Sequence, residues 1–343
     1  DSAVSFGRTS ERMTTFDNDV RRSTAAMVES LSKDSTPAVT ICEDALKREI
    51  STHLDLYTKD KLPPSWAQDY HYCDGTDLTA QYVLVLNAMN FCFWPLEGYE
   101  YLHLASSLKH VCSSMTDGLK VLESDKDAFS ATRLAKLDVD TLSQWLQPRS
   151  PLVDYAPCRL LREVGRVLQL RFDGSAAAMV RSAKQSAVAL VDIMTCNFSG
   201  FRDHCICRGR QVFFYKRAQI LVGDMWGAYN GKGVGAFSDM AALTCFADYR
   251  LPQLMHSLGI FHPFSLSSLS CWMDRIEVDA GSEQEVAIRA ATVQVNIFLS
   301  LKSTGRRADV FKLVADWILW ERGEKQLSTG MLPNHHRTLT LYY

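Results

Sequence analysis

Apolar residues recur at three- and four-residue spacing along most of this chain, and this helical period limits the possible folds more than any other feature. The clearest stripes are Leu104, Leu108, Val111, Met115 and Leu119; Leu161, Val164 and Leu168; Met179, Ala183, Ala187, Leu190 and Met194; and Val286, Ala290, Val293, Ile297 and Leu301. Such a period is typical of helices that bury one face. No stretch sustains the alternation of a sheet, and Gln211–Tyr215 is at most one short strand. We therefore predict a mainly α fold with at most a few short strands.

Local signals divide this pattern into elements. Residues 83–94 are apolar nearly all round, which predicts a fully buried helix. Asp173-Gly174 is a turn between two amphipathic helices, and 148–157 is expected to be a connector before them. The helices predicted after this connector span 158–172, 175–196, 218–229, 282–301 and 309–321, with a further helix beginning at Ser238.

Length and charge limit the domain organisation and the partners. At 343 residues the chain can bury a substantial core. We expect residues 1–15 to be disordered and 16–343 to form one helical domain, either undivided or as two lobes that meet at the active site. A formal net charge of −2 argues against a protein that mainly grips duplex DNA or RNA. We expect no stable nucleic-acid binding.

The cysteines are numerous but scattered. Among the ten, Cys205 and Cys207 lie close together, and the sequence contains no Cys-x-x-Cys pair. We therefore expect neither a metal site nor a cofactor. The chain does not open on a signal peptide, and it has no apolar run of transmembrane length. The expectation is a reduced, cytoplasmic monomer that does not associate with a membrane.

Two motifs place charged residues in apolar surroundings. In 213–219, Lys216 follows three aromatic residues and precedes a helical run. In 246–253, Asp248 lies at the start of a short helix, which Pro252 suits as a first-turn residue and Gly259 is placed to end. A helix start favours an ionised carboxylate. The structural alternative for Asp248 is an N-cap that forms an ion pair with Arg250.

Two later helices also carry charges that need partners. Ser282 and Glu285 form a capping box, and Arg289 is one turn beyond Glu285, which predicts an intrahelical ion pair. Asp316 is a lone charge among apolar residues and shares a helix face with Trp320. A carboxylate in such surroundings must be paired or face a cavity.

Several motifs together resemble one family. In order along the chain they are Asn-Phe-Cys-Phe-Trp (90–94), Phe-Tyr-Lys-Arg-Ala-Gln-Ile-Leu-Val (214–222), Phe-Ala-Asp-Tyr-Arg-Leu-Pro-Gln (246–253), Glu-Val-Ala-Ile-Arg (285–289) and Asp-Trp-Ile-Leu-Trp (316–320), followed by His-Arg-Thr (336–338). Five motifs in order are far more specific than any one of them. The chain resembles the queuosine salvage protein family from about Val20 to Tyr343. The resemblance implies a queuosine 5'-phosphate N-glycosylase that releases the base queuine from the nucleotide.

The resemblance also implies roles for individual residues. Asp248 would stabilise the oxocarbenium-like ribose or attack it, and Lys216 would keep Asp248 ionised and contact the ribose or the leaving base. Asp316 would accept both donors of the guanine-like edge. The predicted substrate contacts are His71, Trp94, Phe246, Tyr249, Arg250, Asp316 and Trp320; Arg250, His71, His336 and Arg337 are the candidates for the 5'-phosphate or the sugar hydroxyls.

Other interpretations remain open at this stage. The short helix after Asp248 resembles helix-hairpin-helix DNA glycosylases, in which a lysine and a later aspartate share the active site. A DNA-repair glycosylase acting on flipped bases is therefore one alternative, although the near-neutral charge disfavours it. A non-catalytic queuosine- or tRNA-binding protein is the other, and the presence of both Asp248 and Lys216 disfavours that.

Overall fold

Helices carry most of the described chain. The computed structural model describes residues 18–35, 37–58, 66, 71–91, 120–146, 151–263, 276–301 and 311–343. In chain order the elements are α1 (Asp19–Leu31), β1 (Val39–Ile41), α2 (Glu43–Thr58), α3 (Asp77–Met89), α4 (Ala131–Leu134), α5 (Val139–Leu146), α6 (Pro151–Arg171), α7 (Ala176–Ser182), α8 (Ala187–Asn197), β2 (His204–Cys207), β3 (Arg210–Phe213), α9 (Lys216–Ala228), α10 (Arg250–Ser257), β4 (Phe261–Pro263), α11 (Glu283–Leu301) and α12 (Phe311–Ser328). The predicted mainly α class is confirmed.

The chain divides into two compact units, each assembled from three segments. Unit 1 comprises 1–62, 204–214 and 239–339, and unit 2 comprises 63–203, 215–238 and 340–343. Among the described residues, no helix combines the length and the apolar composition needed to cross a membrane. The predictions for residues 1–15 and for Trp94 lie outside the described residues.

Unit 1 is built on α11, whose apolar stripe packs against α1 and the hairpin β2–β3. Four of the five predicted stripe residues are almost fully buried, namely Val286, Ala290, Val293 and Ile297. Val286 and Ala290 share a core cluster with Met27 and Val212. The strands β1 and β4 pair in antiparallel fashion, with Thr40 opposite His262. The predicted stripe therefore faces the core, as the period indicated.

Unit 2 is built on α3, which is buried on nearly every face. From Ala80 to Ala88 no residue exposes more than 8% of its surface. The hydroxyl of Thr76 caps the helix by accepting the main-chain N–H of Leu78. The prediction of a fully buried helix is confirmed over 83–88. The helix α3 begins earlier than predicted, because Thr76 and Asp77 provide the start, and it ends at Met89, while 92–94 lie outside the described residues.

Three local predictions are wrong. The expected helix over 175–196 is broken into α7 and α8, because Lys184 and Gln185 have φ of +51° and +64°, and a helix cannot continue through left-handed residues. The expected connector 148–157 is instead helical from Pro151, a residue suited to a first helical position. After Ser238 the chain forms one 3₁₀ turn, Met240–Ala242, rather than a helix.

The prediction of one short strand at 211–215 is correct only in part, because the strand β3 covers Arg210–Phe213. It is the second strand of a hairpin in which His204 lies opposite Phe213 and Cys207 opposite Arg210. Arg208 and Gly209 turn the chain with φ of +51° and +70°. Arg208 also forms ion pairs with Asp34, in the turn after α1, and with Glu283, the first residue of α11, and these pairs hold the hairpin turn in place.

Candidate active site

Asp248 lies at the start of α10, as predicted. Its Oδ1 accepts a 2.7 Å hydrogen bond from the main-chain N–H of Arg250, the first residue of that helix. Gly259, with φ of +68°, follows the end of α10. Asp248 is half-buried, and its Oδ1 lies at the N-terminus of the helix.

Arg250 does not form the ion pair that the structural alternative required. Its Nε donates to Glu324 Oε1 at 2.6 Å, and its Nη1 donates to the side chain of Gln253. The pair is buried, and burial raises the pKa of Glu324 although the positive charge of Arg250 opposes the shift. The alternative is therefore right that Asp248 caps a main-chain N–H at the helix start, although the N-cap position itself is Tyr249, and it is wrong about the partner of Arg250.

Two buried charged side chains hold the segment that leads to Asp248. Asp316 of α12 accepts the main-chain N–H of Phe246 at 2.8 Å. Arg289 of α11 donates from Nε to the main-chain oxygen of Ala247 at 2.9 Å. Because charge-assisted hydrogen bonds are the stronger ones, this segment is fixed from two helices.

Arg289 is itself held by the predicted intrahelical pair. Its Nη1 lies 3.2 Å from Glu285 Oε1, and both side chains are 3% exposed. Glu285 also accepts the main-chain N–H of Gly281, while its own N–H donates to Ser282 Oγ. The predicted capping box is present with its return bond shifted by one residue, from Ser282 to Gly281.

Aromatic residues surround the second motif. Tyr249 stacks on His335 with ring centroids 4.4 Å apart. Phe246 is 5% exposed, and Trp320 is half-buried one turn after Asp316. His336 is fully buried, and burial lowers its pKa to about 3, so it offers neutral ring nitrogens rather than a charge.

In unit 2, Lys216 is the first residue of α9 and is 3% exposed. Its main-chain N–H donates to Asp203 Oδ2 at 3.0 Å, and the N–H of Tyr215 donates to the main-chain oxygen of Asp203. Tyr215 has φ of +51°, which is uncommon for a bulky residue. Asp203, which no sequence signal identified, therefore stabilises the turn that begins this helix.

Arg217, the next residue, has a structural role. It is fully buried, and its guanidinium donates to the main-chain oxygens of Asn87, Gly200 and Leu341. The ring of Phe201 lies 4.9 Å from its Cζ. Burial lowers the pKa of Arg217 to about 9, so it remains a cation at neutral pH.

His71, also in unit 2, is half-buried against aromatic rings. Its ring stacks on Trp66 at a centroid distance of 4.0 Å and an interplanar angle of 18°. Tyr82 meets the imidazole edge-on at 6.3 Å. Burial lowers the pKa of His71 to about 4, so the imidazole is neutral at physiological pH.

The predicted site residues that the structure describes are divided between the two units. Unit 1 holds Phe246, Asp248, Tyr249, Arg250, Asp316 and Trp320, and unit 2 holds His71 and Lys216. Among the described residues, no group of three or more His, Cys, Asp or Glu side chains is arranged to hold a metal ion.

Comparison with known proteins gives consistent matches. Residues 70–343 match the family model described as queuosine salvage protein. A Dictyostelium discoideum protein named queuosine 5'-phosphate N-glycosylase/hydrolase is 41% identical over 332 residues, covering 94% of this chain and 98% of the relative. Proteins of the same name from Sphaerobacter thermophilus and Bos taurus are 41% and 32% identical, and they cover 82% and 78% of this chain and 86% and 83% of their own lengths.

Proposed function

This chain belongs to the queuosine salvage protein family, as its five motifs predicted, and from that premise we propose that it is a hydrolase of queuosine 5'-phosphate. The products are queuine and ribose 5-phosphate. One observation carries the proposal, the 41% identity over 94% of this chain to a relative named queuosine 5'-phosphate N-glycosylase/hydrolase.

The proposed reaction breaks the C1'–N bond and one O–H bond of water, and it forms a C1'–O bond and an N–H bond on the base. The C1'–N bond breaks with its electron pair on the base, and the oxygen of a water molecule bonds to C1'. One proton of that water stays on the new hydroxyl group. The other proton is released, and the leaving nitrogen of the base takes up one proton in its place. Positive charge develops on the ribose in the transition state, so a carboxylate near C1' lowers the barrier.

We assign that carboxylate to Asp248. Its contact with the N–H of Arg250 fixes one carboxylate oxygen at the start of α10, and its half-buried position supports access to a ligand. The hydrogen bonds from Asp316 and Arg289 to the preceding two residues support a fixed orientation. Preorganised charge of this kind needs no rearrangement during the reaction.

Asp316 remains our proposed contact for the base edge, with Trp320 and Phe246 beside it. Queuine is a 7-deazaguanine and presents two adjacent donors, N1–H and the 2-amino group. Asp316 Oδ1 already accepts the N–H of Phe246, but a carboxylate has about four acceptor positions and can take further donors. We further propose Tyr249 and Arg250 as substrate contacts.

From unit 2 we propose His71 and Lys216 as substrate contacts, and Trp94 with them. Because His71 is neutral, we assign it a hydrogen bond to a hydroxyl or phosphate oxygen rather than an ion pair. Lys216 supplies a buried ammonium group for the ribose or the leaving base. We also propose that the protein acts as a monomer on the free nucleotide, without stable binding of nucleic acid.

A direct assay tests the activity. Purified protein is incubated with queuosine 5'-phosphate without added metal, and queuine and ribose 5-phosphate are measured by mass spectrometry. Guanosine 5'-monophosphate, which has the same sugar phosphate and an unmodified purine, is the matched control substrate. Equal amounts of both products from queuosine 5'-phosphate are expected. Folded protein that releases no queuine overturns the proposed function.

A further inference from the structure

Asp224 is a buried carboxylate that the proposed reaction does not use. It lies in the third turn of α9, where its Oδ1 accepts the indole N–H of Trp66 at 3.0 Å and its Oδ2 accepts Asn87 Nδ2 at 2.8 Å. Burial raises its pKa to about 6, although both hydrogen bonds and the positive charge of Lys216 oppose the shift. A carboxylate buried at this cost is a candidate for a role beyond stability.

The helix is shaped to receive Trp66 at this point. Gly227 lies one turn after Asp224 on the same face. A β-carbon at Gly227 would lie 2.9 Å from Cβ of Trp66, closer than such atoms approach. Gly227 therefore allows Trp66 to contact the helix because it has no side chain. Asp224 then fixes the indole by accepting the hydrogen bond from its nitrogen.

Trp66 in turn stacks on the imidazole ring of His71. The two rings are nearly parallel with centroids 4.0 Å apart, so the orientation of the indole sets the orientation of the imidazole. The positive charge of Lys216 also acts on Asp224 and favours the ionised form of this carboxylate. One carboxylate is thus linked to two of the proposed substrate contacts of unit 2, to His71 through Trp66 and to Lys216 through space.

We propose that Asp224 is a positioning residue: by binding the indole N–H of Trp66, it holds the Trp66–His71 stack in the orientation in which His71 contacts the substrate. This inference rests on the proposed function, since it takes His71 as a substrate contact. Asp224 itself touches no substrate. Its action requires a hydrogen-bond acceptor at this position.

A double-mutant cycle on kcat/KM tests the link. Asp224→Leu removes the acceptor with little change of size, and Trp66→Phe keeps a stacking ring but removes the N–H donor. Each is expected to lower kcat/KM on the order of tenfold or more, since small displacements of a substrate contact are costly. The double variant is expected to be no worse than Asp224→Leu alone, because both changes break the same bond. Independent, multiplying losses overturn the proposal.

The conservative variant separates position from charge. Asp224→Asn retains an acceptor for Trp66, and the amide of Asn87 can turn to accept from the new side-chain amide. We expect it to recover most of the kcat/KM lost in Asp224→Leu. A loss equal to that of Asp224→Leu overturns positioning by the hydrogen bond. Asp192→Leu, an exposed aspartate on α8, is the matched control for the substitution itself.

A spectroscopic arm does not depend on activity. The chain has seven tryptophans, so ¹⁵N-labelled indole signals can be assigned to Trp66 by the signal missing from Trp66→Phe. We expect a Trp66 N–H signal that exchanges slowly with solvent in the folded protein and is kept in Asp224→Asn. Rapid exchange in the unmodified protein overturns the positioning role. Failure of the unmodified protein to release queuine, with this signal protected, defeats the proposed function instead.

Discussion

The two units stabilise their buried arginines in different ways. In unit 1, Arg289 forms an ion pair with Glu285, and both members are side chains. In unit 2, Arg217 donates to main-chain oxygens from three separate segments of the chain. The charged partner of Arg289 can be substituted, although its second acceptor is the main-chain oxygen of Ala247, whereas the three acceptors of Arg217 are all carbonyl oxygens that are present whatever the sequence. A second mutation can therefore compensate for the loss of the cation in unit 1 but not in unit 2.

The largest effect is expected from Arg289→Met in unit 1. It leaves Glu285 buried without its cation and the oxygen of Ala247 without its donor, and such a change costs about 3–5 kcal/mol in the free energy of unfolding. Adding Glu285→Gln removes the stranded charge and keeps the capping acceptor, so the double variant should regain a large part of the loss. Urea denaturation measures both values. A double variant no more stable than Arg289→Met contradicts the comparison.

Arg217→Met tests the other side of the comparison. It removes the guanidinium donor from the main-chain oxygens of Asn87, Gly200 and Leu341, of which Asn87 keeps the N–H of Asn90, and this should cost about 3 kcal/mol. Arg217→Lys is the control, since it keeps the charge but offers a single nitrogen, and it should lose less. Urea denaturation again gives the result. A loss below about 1 kcal/mol for Arg217→Met would show that water replaces the guanidinium and that the carbonyl groups do not depend on it.

The next effect separates structural charge from chemical charge within unit 1. Asp248→Asn keeps a capping side chain, so the free energy of unfolding should fall by no more than about 1 kcal/mol. The variant removes the negative charge proposed to face C1', and turnover should fall on the order of a hundredfold or more, equivalent to about 2.7 kcal/mol in the barrier. Single-turnover rates and melting curves are measured together, with the exposed Asp279→Asn as control. Near-normal turnover removes Asp248 from catalysis.

The smallest effect is a pH dependence to which both units contribute. Burial lowers the pKa of His71 in unit 2 to about 4 and that of His336 in unit 1 to about 3. In the unfolded chain these imidazoles bind protons near pH 6.5. The free energy of unfolding is therefore unaffected by them above that pH and decreases as the pH falls below it, because the unfolded state binds more protons. Each histidine should cost about 1 kcal/mol between pH 7.5 and 5.5.

Single variants assign that pH dependence. Asp224 acts in the opposite direction, because its folded pKa of about 6 lies above the unfolded value, so stability from this group increases as the pH falls. His71→Gln and His336→Gln should each flatten the curve of stability against pH, and Asp224→Asn should steepen it. Denaturation at several pH values measures the slopes. An unchanged slope in either histidine variant contradicts the burial of a neutral imidazole there.

The sequence predicts what depends on local pattern. The stripe of α11, the cap by Asp248 and the pair of Glu285 with Arg289 all involve residues within a few positions of each other, where helical spacing determines the contact. The break between α7 and α8 gave no such signal, because Lys184 and Gln185 are not residues that favour left-handed backbone.

The spacing of residues along the sequence does not predict contacts between segments that are far apart in the chain. Asp224 reads as an ordinary helical residue until Trp66, 158 positions earlier, is placed against it. Asp316 was predicted to need a partner, yet the identity of that partner, the N–H of Phe246, depends on how α12 packs. The proposed site therefore combines a helix-start carboxylate that the sequence locates with supporting groups that only the fold reveals.

The three-segment construction of each unit has a consequence for the order in which the chain folds during synthesis. Leu341 follows Arg217 by 124 residues, so at about 5–20 residues per second the ribosome needs roughly 6–25 s to supply it. Residues 239–339 of unit 1 are synthesised within that interval, while the guanidinium of Arg217 still lacks the main-chain oxygen of Leu341 as an acceptor. Unit 2, most of which is synthesised earlier, is completed only after unit 1.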